Sequence, residues 1–366
     1  MAGLYIHIPF CLTICPYCNF FKKPYDPELE RPFIQAMSQE IKAVGQHVPD
    51  VTINTIYYGG GTPTALSAAG LVQLNDAIRD TMAIQSSCEV TIEANPLEIK
   101  SDHCEAFLKM GVNRVSLGAQ SSNIASLVQL GRDHQWGHVI ESVRRLRAIH
   151  ITNISLDLMY GTPGLTLDSL SETLTCYTDL KPRHVSAYGL LIEPGTPFYQ
   201  RYSASDPDSV LEQYRQVKRH MESHGLAQYE LSAFAQPGYE SQHNKGYWQF
   251  KPYLGIGPGA HSFMNNQRFR NISSLSRYLD NPVPVYPTAT VDVDNRLIEY
   301  MMVGLRLIEG IDLSDAYQRF NIHVVDHFAS ALSPLKQQHL VDWSSTRLWA
   351  TDRGLEVLDS LIEALL

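Results

Sequence analysis

The sequence predicts an α/β fold: a parallel sheet curled into a barrel or partial barrel, followed by a smaller mixed, mostly helical C-terminal domain. Three observations carry this. Six strand-like runs alternate with helical patterns between residues 4 and 191. The chemistry-bearing residues fall at the C-terminal ends of those runs, the rim where barrels of this kind place their sites. Beyond about residue 205 the alternation stops and the pattern changes.

Residues 4–7 read as a short strand entering a cysteine loop. Residues 32–48 place Phe33, Met37, Ile41 and Val44 at helical spacing. A strand over 55–58 runs into Gly59-Gly60-Gly61-Thr62-Pro63-Thr64. Ser67 reads as the cap of a helix presenting Leu71, Leu74, Ile78 and Met82. The strand over 90–94 ends at Glu93-Ala94-Asn95-Pro96, and a helix through Phe107 leads to the strand over 114–118, which ends at Gln120. Residues 154–158 form the next strand, a helix spans about 168–176, and the last strand covers 184–191.

Residues 206–220 look helical and 229–234 extended. Pro282, Pro284 and Pro287 mark an irregular connector over 281–290. A helix over 295–308 carries Leu297, Met301, Leu305 and Ile308 on one face and stops at Gly310. Ser314 and Asp352 read as caps, and a short strand over 347–350 precedes the last helix, as in a small winged-helix-like unit. The expected division is a core barrel over 1–205, an extension on the substrate side over 206–290 and a C-terminal domain over 291–366. There is no internal repeat or low-complexity segment.

Composition sets the class. The 366 residues are 44% hydrophobic and 18% charged, which suits a globular chain with a sizeable core and excludes a disordered one. With 29 Lys+Arg against 38 Asp+Glu, the net charge of −9 argues against a general phosphate-backbone binder, so no nucleic-acid partner is expected. The most apolar stretch, residues 4–21, is interrupted by His7, Pro9, Thr13, Pro16 and Asn19. Lys22 and Lys23 follow it rather than precede it, so neither a transmembrane segment nor an export signal is expected. The expected location is cytoplasmic, where thiols stay reduced; peripheral membrane association stays compatible with that.

Cys11, Cys15 and Cys18 form C-x3-C-x2-C, while Cys88, Cys104 and Cys176 are scattered and read as small core residues. Three thiolates so close can grip three irons of a [4Fe-4S] cubane and leave the fourth iron open to a chelating molecule. The amino and carboxylate groups of S-adenosylmethionine (SAM) suit that corner, and an electron donor would then release a deoxyadenosyl radical. Phe10, Tyr17, Phe20 and Phe21 would wall the site. Two other readings stay open: a structural zinc with His7 as fourth ligand, or three unligated thiols.

YIHIPFCLTICPYCNF, residues 5–20, resembles the opening of radical S-adenosylmethionine proteins. More narrowly it resembles the branch holding oxygen-independent coproporphyrinogen III dehydrogenase and its heme-chaperone relatives. That resemblance implies a partial (β/α)6 radical-SAM barrel, a cluster on Cys11, Cys15 and Cys18, and a C-terminal domain like the dehydrogenase's. It implies SAM contacts from Tyr5, Tyr17, Gly60, Gly61, Thr62, Glu93, Gln120, Arg132 and Asp157. In the dehydrogenase several such contacts belong to a second SAM. On their own, the glycines only permit a close backbone approach and are no Walker loop, Glu93 could be a solvated strand-end acid, and Arg132 with Asp157 could be a structural ion pair.

A longer signature covers residues 184–198, where Glu193-Pro-Gly-Thr is also simply a good turn. His243-Asn244-Lys245-Gly246-Tyr247-Trp248 could supply an axial imidazole and apolar walls to a heme, or hold a histidine hydrogen-bonded in a packed aromatic turn. The pattern resembles the chaperones' heme motif, which implies heme contacts from His243, Asn244, Tyr247 and Trp248. Residues 255–262 read as another loop permitting close approach, with His261 as second-choice ligand.

Two departures separate the chain from the dehydrogenase. Phe20 stands where that enzyme has a fourth cysteine, and ten residues precede Cys11 where the enzyme has a long extension. Both match the chaperones. The expected function is heme binding and transfer to acceptor proteins, respiratory ones as candidates, with no catalytic residue assigned and enzyme status left open. The alternatives are coproporphyrinogen III dehydrogenase and a zinc-stabilised interaction protein.

Overall fold

The computed structural model describes residues 1–282 and 293–365. The expected connector at Pro284 and Pro287, and the expected boundary between residues 290 and 291, lie outside the described residues.

Six strands pair in sequence order, each parallel to the next: β1 (Ala2–Ile8), β2 (Thr52–Gly60), β3 (Ala83–Ala94), β4 (Arg114–Gln120), β5 (Asn153–Tyr160) and β6 (His184–Gly189). Helices α1 (Pro27–His47), α2 (Ala68–Thr81), α3 (Ser101–Met110), α4 (Trp136–Ala148) and α5 (Leu167–Asp179) make the crossovers that parallel pairing requires. Ser67 caps α2 as expected, accepting from the Gly70 amide at 3.0 Å. Helix α4 is additional to the sequence expectation. Its buried apolar stripe, Val139, Val143 and Leu146, is short and crowded by Arg144, Arg145 and Arg147.

Strand residues alternate by face. Leu4, Ile6 and Ile8, Ile56 and Tyr58, Val90 and Ile92, Val115 and Leu117, and Leu156 and Leu158 are buried in one core with the helices. The intervening positions are polar: Tyr5 and His7, Thr55 and Tyr57, Glu89 and Glu93, Arg114 and Ser116, Ser155 and Asp157, His184 and Ser186. The strands thus bury an apolar outer face under the helices and keep polar groups on the inner one.

After α6 (Pro207–Ser223) come β7 (Ala227–Glu230) and β8 (Ala233–Ala235), so the expected extended stretch over 229–234 is broken at Leu231-Ser232 into an antiparallel pair beside β6. Helix α7 (Gln242–Trp248) follows. Next, β9 (Tyr253–Ile256) pairs parallel with β1, and β10 (His261–Met264) and β11 (Gln267–Arg270) continue antiparallel. The reading of 255–262 as a loop is corrected: both ends are strand. Its glycines do permit close approach, but to the chain's own backbone. A Cβ on Gly255 would lie 2.1 Å from the His261 carbonyl oxygen, and one on Gly257 2.4 Å from that of His7. The strand order is β11-β10-β9-β1-β2-β3-β4-β5-β6-β8-β7, an open sheet.

The C-terminal part has its own core around Leu297, Met301, Leu332, Leu348 and Leu361, joined by Phe250 and Phe263 from the preceding segment. Its three-stranded sheet places β12 (Ile311–Asp312) and β13 (Val341–Trp343) on either side of β14 (Arg347–Ala350). The caps lie one or two residues earlier than expected: Asp312 accepts from the Ser314 and Asp315 amides at 2.9 and 3.0 Å, and Thr351 from Gly354 at 3.1 Å. Ser314 and Asp352 fall inside the first turn, where an amide donates rather than a side chain caps. No helix among the described residues is long and apolar enough to cross a membrane.

Candidate functional site

The C-terminal ends of β2 to β6 and the loop after β1 enclose a cavity of about 440 Å3. Cys11, Cys15 and Cys18 line it, with Tyr17, Gly60, Gly61, Thr62, Glu93, Gln120, Arg132 and Asp157. The structure therefore gathers those expected residues on one space and places Tyr5 elsewhere. Ser116, Tyr57, Tyr188 and Met159, which the sequence reading did not select, line it too.

The cysteine loop is held at both ends. The Gly61 amide donates to the Ile8 carbonyl at 2.8 Å and the Thr62 amide to that of Phe10 at 2.7 Å. A Cβ on Gly61 would lie 2.6 Å from the Phe10 carbonyl oxygen, so only glycine lets the two segments meet. On the far side the Thr13 hydroxyl donates to Asp133 at 2.6 Å, and the Phe198 amide to the Pro16 carbonyl at 3.1 Å. The Thr62 hydroxyl points at Cys11 Sγ at 3.8 Å.

Arg132 links the loop to the barrel. Its Nη1 lies 3.4 Å from Cys15 Sγ, its Nη2 donates to the Gly118 carbonyl at 2.8 Å, and its buried Nε has no partner. It forms no ion pair with Asp157, so that alternative falls. A guanidinium beside a thiolate offsets the negative charge gathered by three cysteines.

Two carboxylates face the cavity from β3 and β5, on either side of β4. Glu93 accepts from the Tyr57 hydroxyl at 2.9 Å and the Gly60 amide at 3.2 Å. Burial, then the charge of Asp157, pushes Glu93 up to about 7, against those two hydrogen bonds. Asp157 accepts from Ser116 at 3.0 Å, and burial lifts it to about 6. Gln120 closes β4 with φ of 62°, a conformation that costs a non-glycine residue about 1 kcal/mol. Glu98, behind the cavity, accepts from Thr64 at 2.6 Å and is also raised to about 7 by burial.

This donor set fits a cubane cluster with SAM beside it: three thiols on one loop, a cation against one sulfur, and open volume flanked by carboxylates and an amide. It does not fit a zinc completed by His7. That ring sits 3.1 Å from the Tyr5 hydroxyl through Nδ1 and 2.9 Å from the Phe21 carbonyl through Nε2, and it lines a different cavity.

The second cavity, about 500 Å3, lies beside the first between the cysteine loop, α7 and the β10–β11 hairpin. Tyr5, Phe20, Phe21, Tyr247, Trp248 and Tyr253 form its aromatic surface, with His261, Arg268 and Arg270 on the hairpin side. Phe20, 69% exposed, lines both cavities. The Trp248 Nε1 is buried without a partner, and the Arg306 guanidinium lies 4.7 Å over its ring.

His243 does not reach this surface. It is buried inside the sheet, with Nδ1 2.8 Å from the Thr55 hydroxyl and Nε2 2.8 Å from the Tyr247 hydroxyl. Burial lowers it to about 3, so the ring is neutral. The arrangement is the hydrogen-bonded histidine in a packed aromatic turn that the motif left open. Asn244 sits in the first turn of α7, its amide 3.4 Å from the capping Ser241 hydroxyl.

Family models match the chain in two places: the Radical SAM superfamily over residues 5–176 and the HemN C-terminal domain over residues 291–357. The heme chaperone HemW of Bacillus subtilis (strain 168) is 35% identical over 368 residues, covering 97% of this chain and 96% of that protein. That of Lactococcus lactis subsp. lactis (strain IL1403) is 32% identical, covering 99% and 96%. That of Escherichia coli (strain K12) is 32% identical over 320 residues, covering 84% and 83%. Among solved structures, coproporphyrinogen III oxidase (HemN) from Escherichia coli, a radical SAM enzyme, superposes with a TM-score of 0.87. At 22% identity, over 100% of this chain and 89% of that one, the likeness speaks for the fold.

Proposed function

The chain belongs to the HemW family within the radical SAM superfamily, and from that premise we propose that it is a heme chaperone, binding heme and handing it to acceptor proteins. The observation that carries the reading is the full-length likeness to proteins named heme chaperones. The same reading divides the chain at residues 205 and 290 and has it work in the cytoplasm.

Cys11, Cys15 and Cys18 would hold a [4Fe-4S] cluster, and Glu93, Gln120, Arg132 and Asp157, with the Gly60–Thr62 turn, would hold SAM. When bound, the pair supplies one-electron chemistry at a sulfonium. The chain's own residues do the rest. Arg132 balances thiolate charge, Glu93 offers a carboxylate for ammonium or hydroxyl groups, and Phe20 and Tyr17 keep water from the sulfurs. Tyr247 and Trp248 supply apolar wall for a macrocycle in the neighbouring cavity, and His243 fixes the Tyr247 hydroxyl.

The test is anaerobic reconstitution followed by heme titration and transfer to a heme-free acceptor, followed by absorbance. Stoichiometric heme uptake and release to the acceptor support the reading. A chain that binds no heme, or one that converts coproporphyrinogen III to protoporphyrinogen instead, overturns it.

A further inference from the structure

The signature that opens at His184 has no part in the site described so far, yet a line of hydrogen bonds runs from it to the cysteine cavity. Ser155 and Asp157 on β5 are register partners of His184 and Ser186 on β6, so all four side chains share the inner face of the barrel. His184 Nδ1 lies 2.8 Å from the Ser155 hydroxyl, and that hydroxyl lies 3.4 Å from the one of Ser186. Ser186 in turn hydrogen-bonds the Asp157 carboxylate. On its other side, His184 Nε2 lies 2.9 Å from the Tyr229 hydroxyl, whose oxygen accepts from the Ser241 amide at 3.2 Å. His184, Ser155 and Ser186 are buried.

The two ends of the line fix its direction. An amide N–H only donates and a carboxylate only accepts. The Tyr229 oxygen takes the Ser241 amide, and its hydroxyl has His184 Nε2 as its one hydrogen-bond acceptor among the described residues. Nε2 then carries no proton, so Nδ1 carries it and donates to Ser155. Ser155 donates to Ser186, and Ser186 to Asp157. Run backwards, the line would leave the Tyr229 hydroxyl without an acceptor, and an unmade buried hydrogen bond is costly. Burial, then the charge of Arg114, lowers the His184 pKa well below its ordinary value, so the ring is neutral, as the line requires.

We propose that His184 is a positioning residue: as the Nδ1–H tautomer it turns the Ser155 and Ser186 hydroxyls onto Asp157 and keeps that carboxylate an acceptor for the hydroxyl or ammonium groups of SAM. The inference rests on the SAM-binding reading above and deepens it by naming what sets the state of Asp157. The charged and titratable groups facing Asp157 are Glu93 from β3, Arg114 from β4, Arg132 from the loop after it, and the phenols of Tyr57, Tyr177 and Tyr188. The two arginines favour its charge and Glu93 opposes it, while Ser116 and Ser186 donate to it. Asp157 stands at about 6, so the loss of one oriented donor changes its charge at a pH where SAM binding is measurable.

The experiment has two readouts on the full chain. Nitrogen-15 NMR of the histidines before reconstitution, with His184→Asn identifying the resonances, is expected to show His184 neutral and protonated at Nδ1 from pH 5.5 to 8.5. Equilibrium SAM binding to the reconstituted chain is then followed against pH. Ser155→Ala and His184→Leu both cut the line and are expected to bind SAM about twofold to fivefold more weakly than the wild type at pH 6 and equally at pH 8.5. Glu93 titrates in all the chains, so the ratio to wild type reads Asp157. Ser155→Ala removes one oxygen and carries the test where the larger change unfolds the chain. His184→Asn, whose amide nitrogen takes the place of Nδ1, is expected to keep the wild-type pH profile even with a lower melting temperature. A His184 protonated at Nε2, or wild-type pH profiles in Ser155→Ala and His184→Leu, overturns the positioning role and leaves the SAM reading standing. A reconstituted wild type that binds no SAM at any pH overturns both.

Discussion

The Tyr57 ring lies against the imidazole of His243, centroids 5.1 Å apart and planes 29° from parallel. The same tyrosine donates its hydroxyl to Glu93 at 2.9 Å, so one side chain touches both the His243–Trp248 helix and the carboxylate of the cysteine cavity.

Tyr57→Phe should keep the stack and lose the donor. Glu93 then has the Gly60 amide alone, and its pKa, already about 7, rises further because a hydrogen bond to its charged form is gone. SAM affinity of the reconstituted chain is expected to fall about threefold to tenfold at pH 7 and to recover towards pH 8.5. Equilibrium binding at three pH values checks this; identical pH profiles for variant and wild type would refute it.

Iron and sulfide analysis tests the cysteine loop. The reconstituted wild type should hold about four of each per chain, and Cys11→Ala, Cys15→Ala or Cys18→Ala less than about half as much. Cys88→Ala, Cys104→Ala and Cys176→Ala should retain the full complement. A single zinc in the wild type would contradict the assignment.

Gly61→Ala probes the contact between the glycine turn and the cysteine loop. Its Cβ would meet backbone atoms of Pro9 and Phe10 at 2.6–2.9 Å, so the chain itself must move. A destabilisation of about 2–4 kcal/mol, with loss of bound iron, is expected by thermal melting and metal analysis. Gly164→Ala has no atom within 4 Å to strike, but its φ of +79° makes it a strain-only control, with a smaller loss of about 1 kcal/mol.

Glu40 gives a pH signature. It is wholly buried under the hairpin loop and accepts from the Tyr278 hydroxyl at 2.6 Å, the Gly257 amide at 2.9 Å and the Asn271 amide. Burial outweighs these donors and raises it to about 7, above the value of about 4.3 in an unfolded chain. The folded state therefore holds this proton more tightly. Its stabilisation is complete below about pH 4.3 and is lost as pH rises through 7. Melting temperatures at pH 5 and pH 8 should differ less in Glu40→Gln than in the wild type; an equal difference would show that Glu40 does not titrate as described.

Much of the barrel was legible because local signals agreed. Apolar strand faces, the Ser67 cap and strand-end polar residues all place the rim where the cavity lies. Strand β9 was not legible, since Gly255 and Gly257 read as a loop, while the pairing with β1 that makes it a strand, and the close approach of His7 to Gly257, come from residues about 250 positions away in sequence. Tyr57, Ser116 and Tyr188 were missed for a different reason. Their period-two polar spacing along β2, β4 and β6 was available, but an inner polar face is invisible until the sheet curls. His243 was recognised by motif, yet its engagement by Thr55, 188 residues away, follows only from the folded chain.

Phe20 has a consequence for energetics. A single, largely exposed ring lines two compartments, so a guest that fixes it on one side changes the wall that the other side offers. Thermodynamic reciprocity makes that influence equal in both directions: whatever factor nucleotide occupancy applies to macrocycle affinity, macrocycle occupancy applies to nucleotide affinity. If the two cavities hold the guests proposed above, loading and release of one are tied to the state of the other through a single benzyl group.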